Sequence, residues 1–138
     1  MSSRVQSNPM NVLSLIAGES FVAKQYRAVC LAVAAAARTV TTIAAAAEGA
    51  HIIGVVQNKA PSGDSASVAT GGSSILEMAA NCDSGEKIMS DSDGKGTPVG
   101  TDKYGVIGIA LTSNAEGDGG LIEVLLTPGG VGQADESN

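Results

Sequence analysis

Aromatic residues are nearly absent from this chain of 138 residues, which has one phenylalanine, two tyrosines and no tryptophan. Sugar-binding clefts and most small-molecule pockets are lined by aromatic side chains. The low aromatic content therefore disfavours an enzyme or a ligand-binding β-barrel. Alanine supplies much of the apolar content, and a core with few large side chains gives a marginally stable monomer. We therefore expect oligomerisation or docking to contribute to stability.

Cysteine and histidine are also scarce: Cys30, Cys82 and His51 are the whole set. The cysteine spacing gives no reason to infer a disulfide, and we interpret both residues as buried thiols of a protein made in a reducing cytosol. The sequence around His51 has no nucleophile motif, and the chain has no run of Cys and His with metal-ligand spacing. We predict no catalytic residue, no metal and no cofactor.

Basic charge is scarce and unevenly distributed, with a net charge of −6. An acidic chain lacks the basic surface that nucleic acids require. Residues 1–60 carry five basic and two acidic side chains, whereas residues 61–138 carry three lysines and twelve acids. Two interpretations stay open: ordinary solvated surface, or a weakly basic part that faces a protein partner and an acidic part that faces solvent.

The chain has no apolar run long enough to cross a membrane, because polar and charged residues interrupt the alanine-rich stretch Ala28–Ala50. Alanine favours helix, but the β-branched residues of this stretch crowd the preceding helical turn. We predict strands here, with the possibility of one short helix near Ala44–Glu48.

Glycine, proline and aspartate turns break the rest of the chain into segments of four to nine residues, which is typical of short strands. We predict an all-β fold, a small antiparallel barrel or sandwich of eight to nine strands. The predicted strands are Val12–Ile16, Tyr26–Val33, Val40–Ala44, Ile52–Gln57, Ala66–Thr70, Ile75–Met78, Lys87–Ser90, Gly105–Leu111 and Leu121–Thr127.

An internal repeat indicates that the fold has two related hairpin halves. Ile53–Val56 recurs as Ile107–Ala110, and Gly63-Asp64 recurs as Gly117-Asp118, both 54 residues later. Each copy continues into a short alternating strand. A glycine inside the first strand of each copy indicates a bulge or a close approach of two backbones.

The two ends are polar and rich in turn residues, so we predict a flexible N-terminal arm over 1–11, a β-rich domain over 12–128 and a flexible tail over 129–138. Two interpretations of the arm stay open: it is disordered, or it becomes ordered on a partner.

Three further motifs are explained better as turns or loop acids than as sites. Asp91–Gly96 has acids and a glycine at calcium-loop positions, but a lysine stands where a ligand is needed and no helices are predicted beside it. The glycine-rich turns lack the Lys-Ser/Thr of a phosphate loop. Glu116, Asp118 and Glu123 lack the aromatic residues of a glycosidase cleft.

In their order along the chain, several short motifs resemble the decoration (cement) proteins of tailed-phage capsids. They are Tyr26–Val29, Ile52–Val56, Ser84–Lys95, Val106–Leu111, Glu116–Asp118 and Ile122–Leu126. The resemblance covers most of the chain and implies a compact β fold, trimers near three-fold positions of the shell, and no catalysis.

The resulting hypothesis is a structural protein on the outer capsid surface whose partners are the major capsid protein and two further copies of itself. We expect no nucleic acid, membrane or small-molecule partner. The predicted contact residues are Arg4, Val5, Pro9, Lys24 and Arg27. The rival hypotheses are a phage tail or fibre component, another β-rich assembly module, and a ligand-binding β-barrel.

Overall fold

Nine strands form the structure, a computed structural model that describes residues 5–32, 37–42, 51–99 and 105–128. They are β1 (Asn8–Ala17), β2 (Ala28–Leu31), β3 (Thr39–Thr41), β4 (Ile52–Val56), β5 (Ser65–Glu77), β6 (Lys87–Ser90), β7 (Gly96–Pro98), β8 (Val106–Ala110) and β9 (Leu121–Leu126). The described residues contain no helix, which confirms the predicted all-β class. The possible helix at Ala44–Glu48 lies outside the described residues.

Several strand boundaries differ from those predicted. β1 begins at Asn8, inside the segment predicted as a flexible arm. β2 begins at Ala28 and not at Tyr26, because Tyr26 has a φ of 67°, which is incompatible with an extended strand. β7 was not predicted, because Thr97 and Pro98 are typical turn residues; Pro98 is tolerated at the end of this short strand.

Gly71 and Gly72 do not end a strand, contrary to the prediction. β5 runs through both glycines and changes partners there: its first part pairs with β4 and β1, and its second part pairs with β9. Gly72 has a φ of 77°, and a Cβ at this position would collide with the backbone of Asn8 and Met10. Glycine therefore lets the strand bend while it stays paired.

The strands close into two rings of five that share β5. In the first half the order is β1-β3-β2-β4-β5, and β5 pairs back onto β1. In the second half the order is β5-β9-β8-β6-β7, and a bridge from Met78 to Gly96 joins β7 back to the end of β5. Five strands cannot close a ring with antiparallel pairs alone. Each ring accordingly has one parallel contact, β1–β3 in the first and Met78–Gly96 in the second.

The two halves repeat each other in detail, which confirms the predicted relation between them. The β4–β5 hairpin, with Val55 opposite Ala69, matches the β8–β9 hairpin, with Ile109 opposite Leu125. A bulge after Val29 in β2 matches one after Ile88 in β6.

The loop between the hairpin strands is two residues longer in the second half than in the first. The amide of Gly63 donates to the carbonyl of Ala17, and the amide of Gly119 donates to that of Met78. Gly63 therefore corresponds to Gly119, and not to Gly117 as the sequence repeat suggested.

Gly54 and Gly108 explain why the Ile-Gly motif recurs. A Cβ at Gly54 would collide with the carbonyl oxygen of Ala69, and one at Gly108 would collide with that of Leu125. These are equivalent positions on the returning strands. Only glycine allows the two strands of each hairpin to approach this closely.

Each half has its own apolar interior. The first contains Leu15, Phe21, Val29, Val56 and Val68 with smaller residues around them. The second contains Leu76, Met78, Ile88, Ile107 and Ile122 among others, and it also includes residues from the outside of the first half. The two rings therefore pack against each other through a shared apolar cluster.

Candidate functional site

Lys24, one of the predicted contact residues, is held inside a network around Glu19. Its ammonium donates to one Glu19 oxygen, and the other Glu19 oxygen accepts from the Thr41 hydroxyl and from the amide and hydroxyl of Thr42. Burial alone raises the pKa of Glu19, but these hydrogen bonds outweigh it and lower the pKa from 4.5 to about 2. The network ties the β1–β2 loop to the end of β3.

Arg27, a second predicted contact residue, belongs to a charge cluster between the two halves. Its Nε lies 3.1 Å from a carboxylate oxygen of Glu77, and Lys95 lies 3.8 Å from the other oxygen of Glu77 and 2.8 Å from Asp118. The hydrogen bond between Lys95 and Asp118 raises the pKa of Lys95 and lowers that of Asp118. Lys24 and Arg27, which the sequence predicted to contact a partner, are thus both paired with acidic residues of the same chain.

Val5 and Pro9 lie on the first strand and the segment that leads into it. Val5 is half-buried and Pro9 is exposed opposite Gly72. The Ser7 hydroxyl accepts a 2.8 Å hydrogen bond from the amide of Ile75, which holds this segment against β5. Arg4 lies outside the described residues. The contact role of all five predicted residues stays a prediction.

The sequence missed an exposed apolar strand segment, Asn8–Ser14, because it was assigned largely to the arm. All seven side chains are exposed, including Met10 at 77%, Val12 at 50% and Leu13 at 45%. One edge of the segment pairs with β5, whereas β3 reaches β1 only at Ile16 and Ala17. Among the described residues, no strand covers the other edge of Asn8–Ser14, although its Ser14 carbonyl accepts a 2.8 Å hydrogen bond from the Arg38 guanidinium.

This segment has the properties of a docking surface. Exposed apolar side chains occur on both sides of the strand, since Val12 and Leu13 point to opposite sides, and an open strand edge can pair with a strand of another chain. The alternation of Val12, Ser14 and Ile16 with Leu13 and Leu15 is uninterrupted, and the bulges near Asn11 lie before it.

A cleft of about 300 Å³ opens at the end of the second ring. It is lined by Asn81, Cys82, Asp83, Glu86, Pro98, Asn114 and Ala115. Burial, together with the charges of Glu86 and Asp83, raises the pKa of the Cys82 thiol despite a hydrogen bond from the Asn114 backbone. A catalytic cysteine requires a lowered pKa, so the raised pKa of Cys82 does not favour a role as a nucleophile.

Other chemistry that the sequence raised finds little support among the described residues. Cys30 and Cys82 are free and buried, in agreement with their interpretation as thiols. Asp91 accepts hydrogen bonds from the amides of Asp93 and Lys95, which is a turn motif. In the described ranges, no group of three His, Cys, Asp or Glu side chains is placed to hold a metal ion. No buried side-chain N or O atom there lacks a hydrogen-bond partner.

Membrane insertion through a helix has no support in the described part of the chain either, where no helix is long and apolar enough for a span.

The fold and its surfaces define an all-β interaction module: two packed five-stranded rings, partly buried charge pairs and a strand segment with exposed apolar side chains. The family model for phage cement proteins matches residues 24–126, about three quarters of the chain. The chain therefore belongs to the phage cement protein family. It is a structural protein of the phage particle, and its place is the capsid.

Comparison with solved structures supports the fold. The crystal structure of the N base of head fibre gp8.5 from bacteriophage phi29 matches with a TM-score of 0.62 and 16% sequence identity. The match covers 85% of this chain and 93% of that chain. At this identity the similarity shows a shared architecture. No curated protein matches the chain at a significant level.

Proposed function

We propose that this protein binds the outer surface of an assembled phage head as a homotrimer and stabilises the shell by bridging neighbouring major capsid subunits. Family membership supports the capsid as partner. The observation that carries the finer proposal is the exposed apolar segment Asn8–Ser14 with its open edge. It lies in the half of the chain with the basic excess.

The mechanism is stabilisation by differential binding. A ligand that binds the closed shell better than separated subunits shifts the equilibrium towards the shell. The apolar side chains Met10, Val12 and Leu13 are exposed to water in the free protein. Their burial against the capsid would contribute to binding. The open edge of β1 offers backbone groups to a strand of the capsid protein.

The predicted contact residues contribute unequally in this proposal. Val5 and Pro9 lie on or just before the strand segment Asn8–Ser14, and Arg4 is their neighbour in the sequence. We expect these three residues to touch the capsid directly. Lys24 and Arg27 are paired with Glu19 and Glu77. Because a partner would have to compete with these pairs, we expect their effect on capsid binding to be smaller.

The test is to mix purified protein with undecorated heads and image them. We expect regular density on the outside of the shell, at three-fold positions, and a higher melting temperature of decorated heads. The variant Met10→Asp with Val12→Asp should lose binding, whereas Val22→Asp, at an equally exposed apolar residue outside the strand, should bind as the parent does. Normal binding by the double variant would contradict the role of β1, and failure of the parent protein to bind would contradict the proposed function.

A head-fibre component is the second candidate, because the structural neighbour is the base of a head fibre. This candidate predicts attachment at a subset of positions with density that projects outward, whereas a cement role predicts a low, uniform coat. The same images separate the two.

A further inference from the structure

The outer side of the second ring carries a continuous apolar surface, formed by Ile109, Leu111, Leu121 and Leu125, each between 37% and 48% exposed. Ile109 lies directly opposite Leu125 on the neighbouring strand. The amide of Leu111 donates to the carbonyl of Glu123, so Leu111 lies beside the same strand. We call these four residues the β8–β9 face.

Two charged residues accompany these four. Glu123 lies between Leu121 and Leu125 on the same side of β9, and its carboxylate accepts a 2.7 Å hydrogen bond from the Ser73 hydroxyl, which directs it towards β5. Lys87 lies opposite Ile109 on the far side of β8. A surface that combines exposed apolar side chains with hydrogen-bonded and charged residues is the usual arrangement of a protein interface.

The internal repeat shows what covers the equivalent surface in the first ring. The residues that correspond to Lys87, Ile109 and Leu125 are Ala28, Val55 and Ala69. All three are completely buried, and they belong to the same apolar cluster as the interior of the second ring.

The amide of Ala28 donates to the carbonyl of Gly94 in the β6–β7 turn, at 2.7 Å. In the first half, this face is therefore a packing surface for another five-stranded unit of the same kind.

We propose that the β8–β9 face is the surface through which one copy of this chain packs against the next. The inference deepens the proposed function and rests on its homo-oligomer. In the first ring the equivalent positions carry small or medium-sized apolar residues, which fits close contact within one chain. In the second ring Ile109 and Leu125 carry longer apolar side chains that are partly exposed, and Lys87 stands at the third position.

Charge favours the first half of the neighbouring copy as the occupant. Residues 61–138 carry twelve acids and three lysines, while residues 1–60 carry five basic and two acidic residues. A contact between two second halves would bring like charges together, whereas a contact of a second half with a first half pairs opposite charges. Such a head-to-tail contact is heterologous, and it produces a closed trimer when its rotation is one third of a turn.

The experiment measures self-association by sedimentation velocity over a concentration series. The parent protein is expected to form a species of three chain masses. The variant Ile109→Glu with Leu125→Glu should raise the dissociation constant at least about tenfold, because two apolar side chains at the centre of the contact become charged. Ser92→Glu with Ala115→Glu places the same charges on exposed residues of the second half outside this face and should leave association unchanged.

Folding is checked by circular dichroism melting, and a milder variant, Leu121→Ser with Leu125→Ser, serves if the charged one unfolds. A parent protein that stays monomeric at all concentrations, or face variants that associate like the parent, would overturn the inference.

Binding of the same variants to heads separates the two proposals. Face variants that still associate but lose head binding would assign the face to the capsid. A parent protein that associates through the face yet leaves heads bare would refute the proposed function alone.

Discussion

Glu19 provides the sharpest test of the stabilising contacts. The carboxylate accepts hydrogen bonds from Lys24, Thr41 and Thr42, and its pKa is lowered from 4.5 to about 2. One pKa unit corresponds to about 1.4 kcal/mol, so the full shift would correspond to about 3 kcal/mol. Solvent screens the partly exposed side chains of Glu19 and Lys24. We therefore expect Glu19→Gln to lower the free energy of unfolding by about 1–2 kcal/mol at pH 7.

The pH dependence has a defined sign. Because the folded pKa lies below the unfolded value, the stabilisation is fully present above about pH 5.5 and is lost as the pH falls from 4.5 towards 2. Urea unfolding of parent and variant at pH 7, 4.5 and 2.5 measures the difference. We expect the gap between the two proteins to narrow steadily on acidification.

Glu116→Gln, at an exposed loop acid, serves as the control and should leave stability nearly unchanged at each pH. A gap between parent and Glu19→Gln that is the same at pH 7 and pH 2.5 would refute the electrostatic explanation, because the loss would then come from packing. The absence of any gap at pH 7 would refute the importance of the network itself.

Two further predictions concern the fold. Gly108→Ala should lower the free energy of unfolding by about 3 kcal/mol, because the new methyl group meets the Leu125 carbonyl. Gly85→Ala, in open space with a φ of 92°, should cost only about 1 kcal/mol; similar melting temperatures for the two variants would contradict this ranking. Glu77→Gln should lower stability by about 1–2 kcal/mol, since it leaves Arg27 and Lys95 without their shared acid between the halves; unchanged urea midpoints would show that the pair is screened.

The internal repeat has a counterpart in backbone conformation that the sequence does not reveal. Tyr26 and Arg38 have positive φ values of 67° and 65°, and the equivalent residues of the second half are Gly85 and Gly94. The same turns thus contain glycine in the second half and residues with a side chain in the first. The architecture tolerates some strain in the first half, which hides the repeat from a comparison of residues.

Local rules explain which parts of the fold were predictable. Short segments between turns, alternation in β9 and the paired Ile-Gly motifs were sufficient to predict the all-β class and the two related halves. These features depend on neighbours a few residues apart. The strand β7 and the start of β1 were not predictable in this way, since both are strands because of the partners that pair with them.

The surface features likewise fall into those that can be predicted from the sequence and those that depend on contacts between distant residues. Composition accounts for the small core, the acidic net charge and the few groups suited to catalysis, because these properties hold whatever the fold. The internal pairing of Lys24 and Arg27, the passage of β5 through two glycines and the exposure of Val12, Ile109 and Leu125 follow from tertiary contacts. Each of these depends on contacts between residues distant in the chain, and ring closure rather than any local pattern determines those contacts.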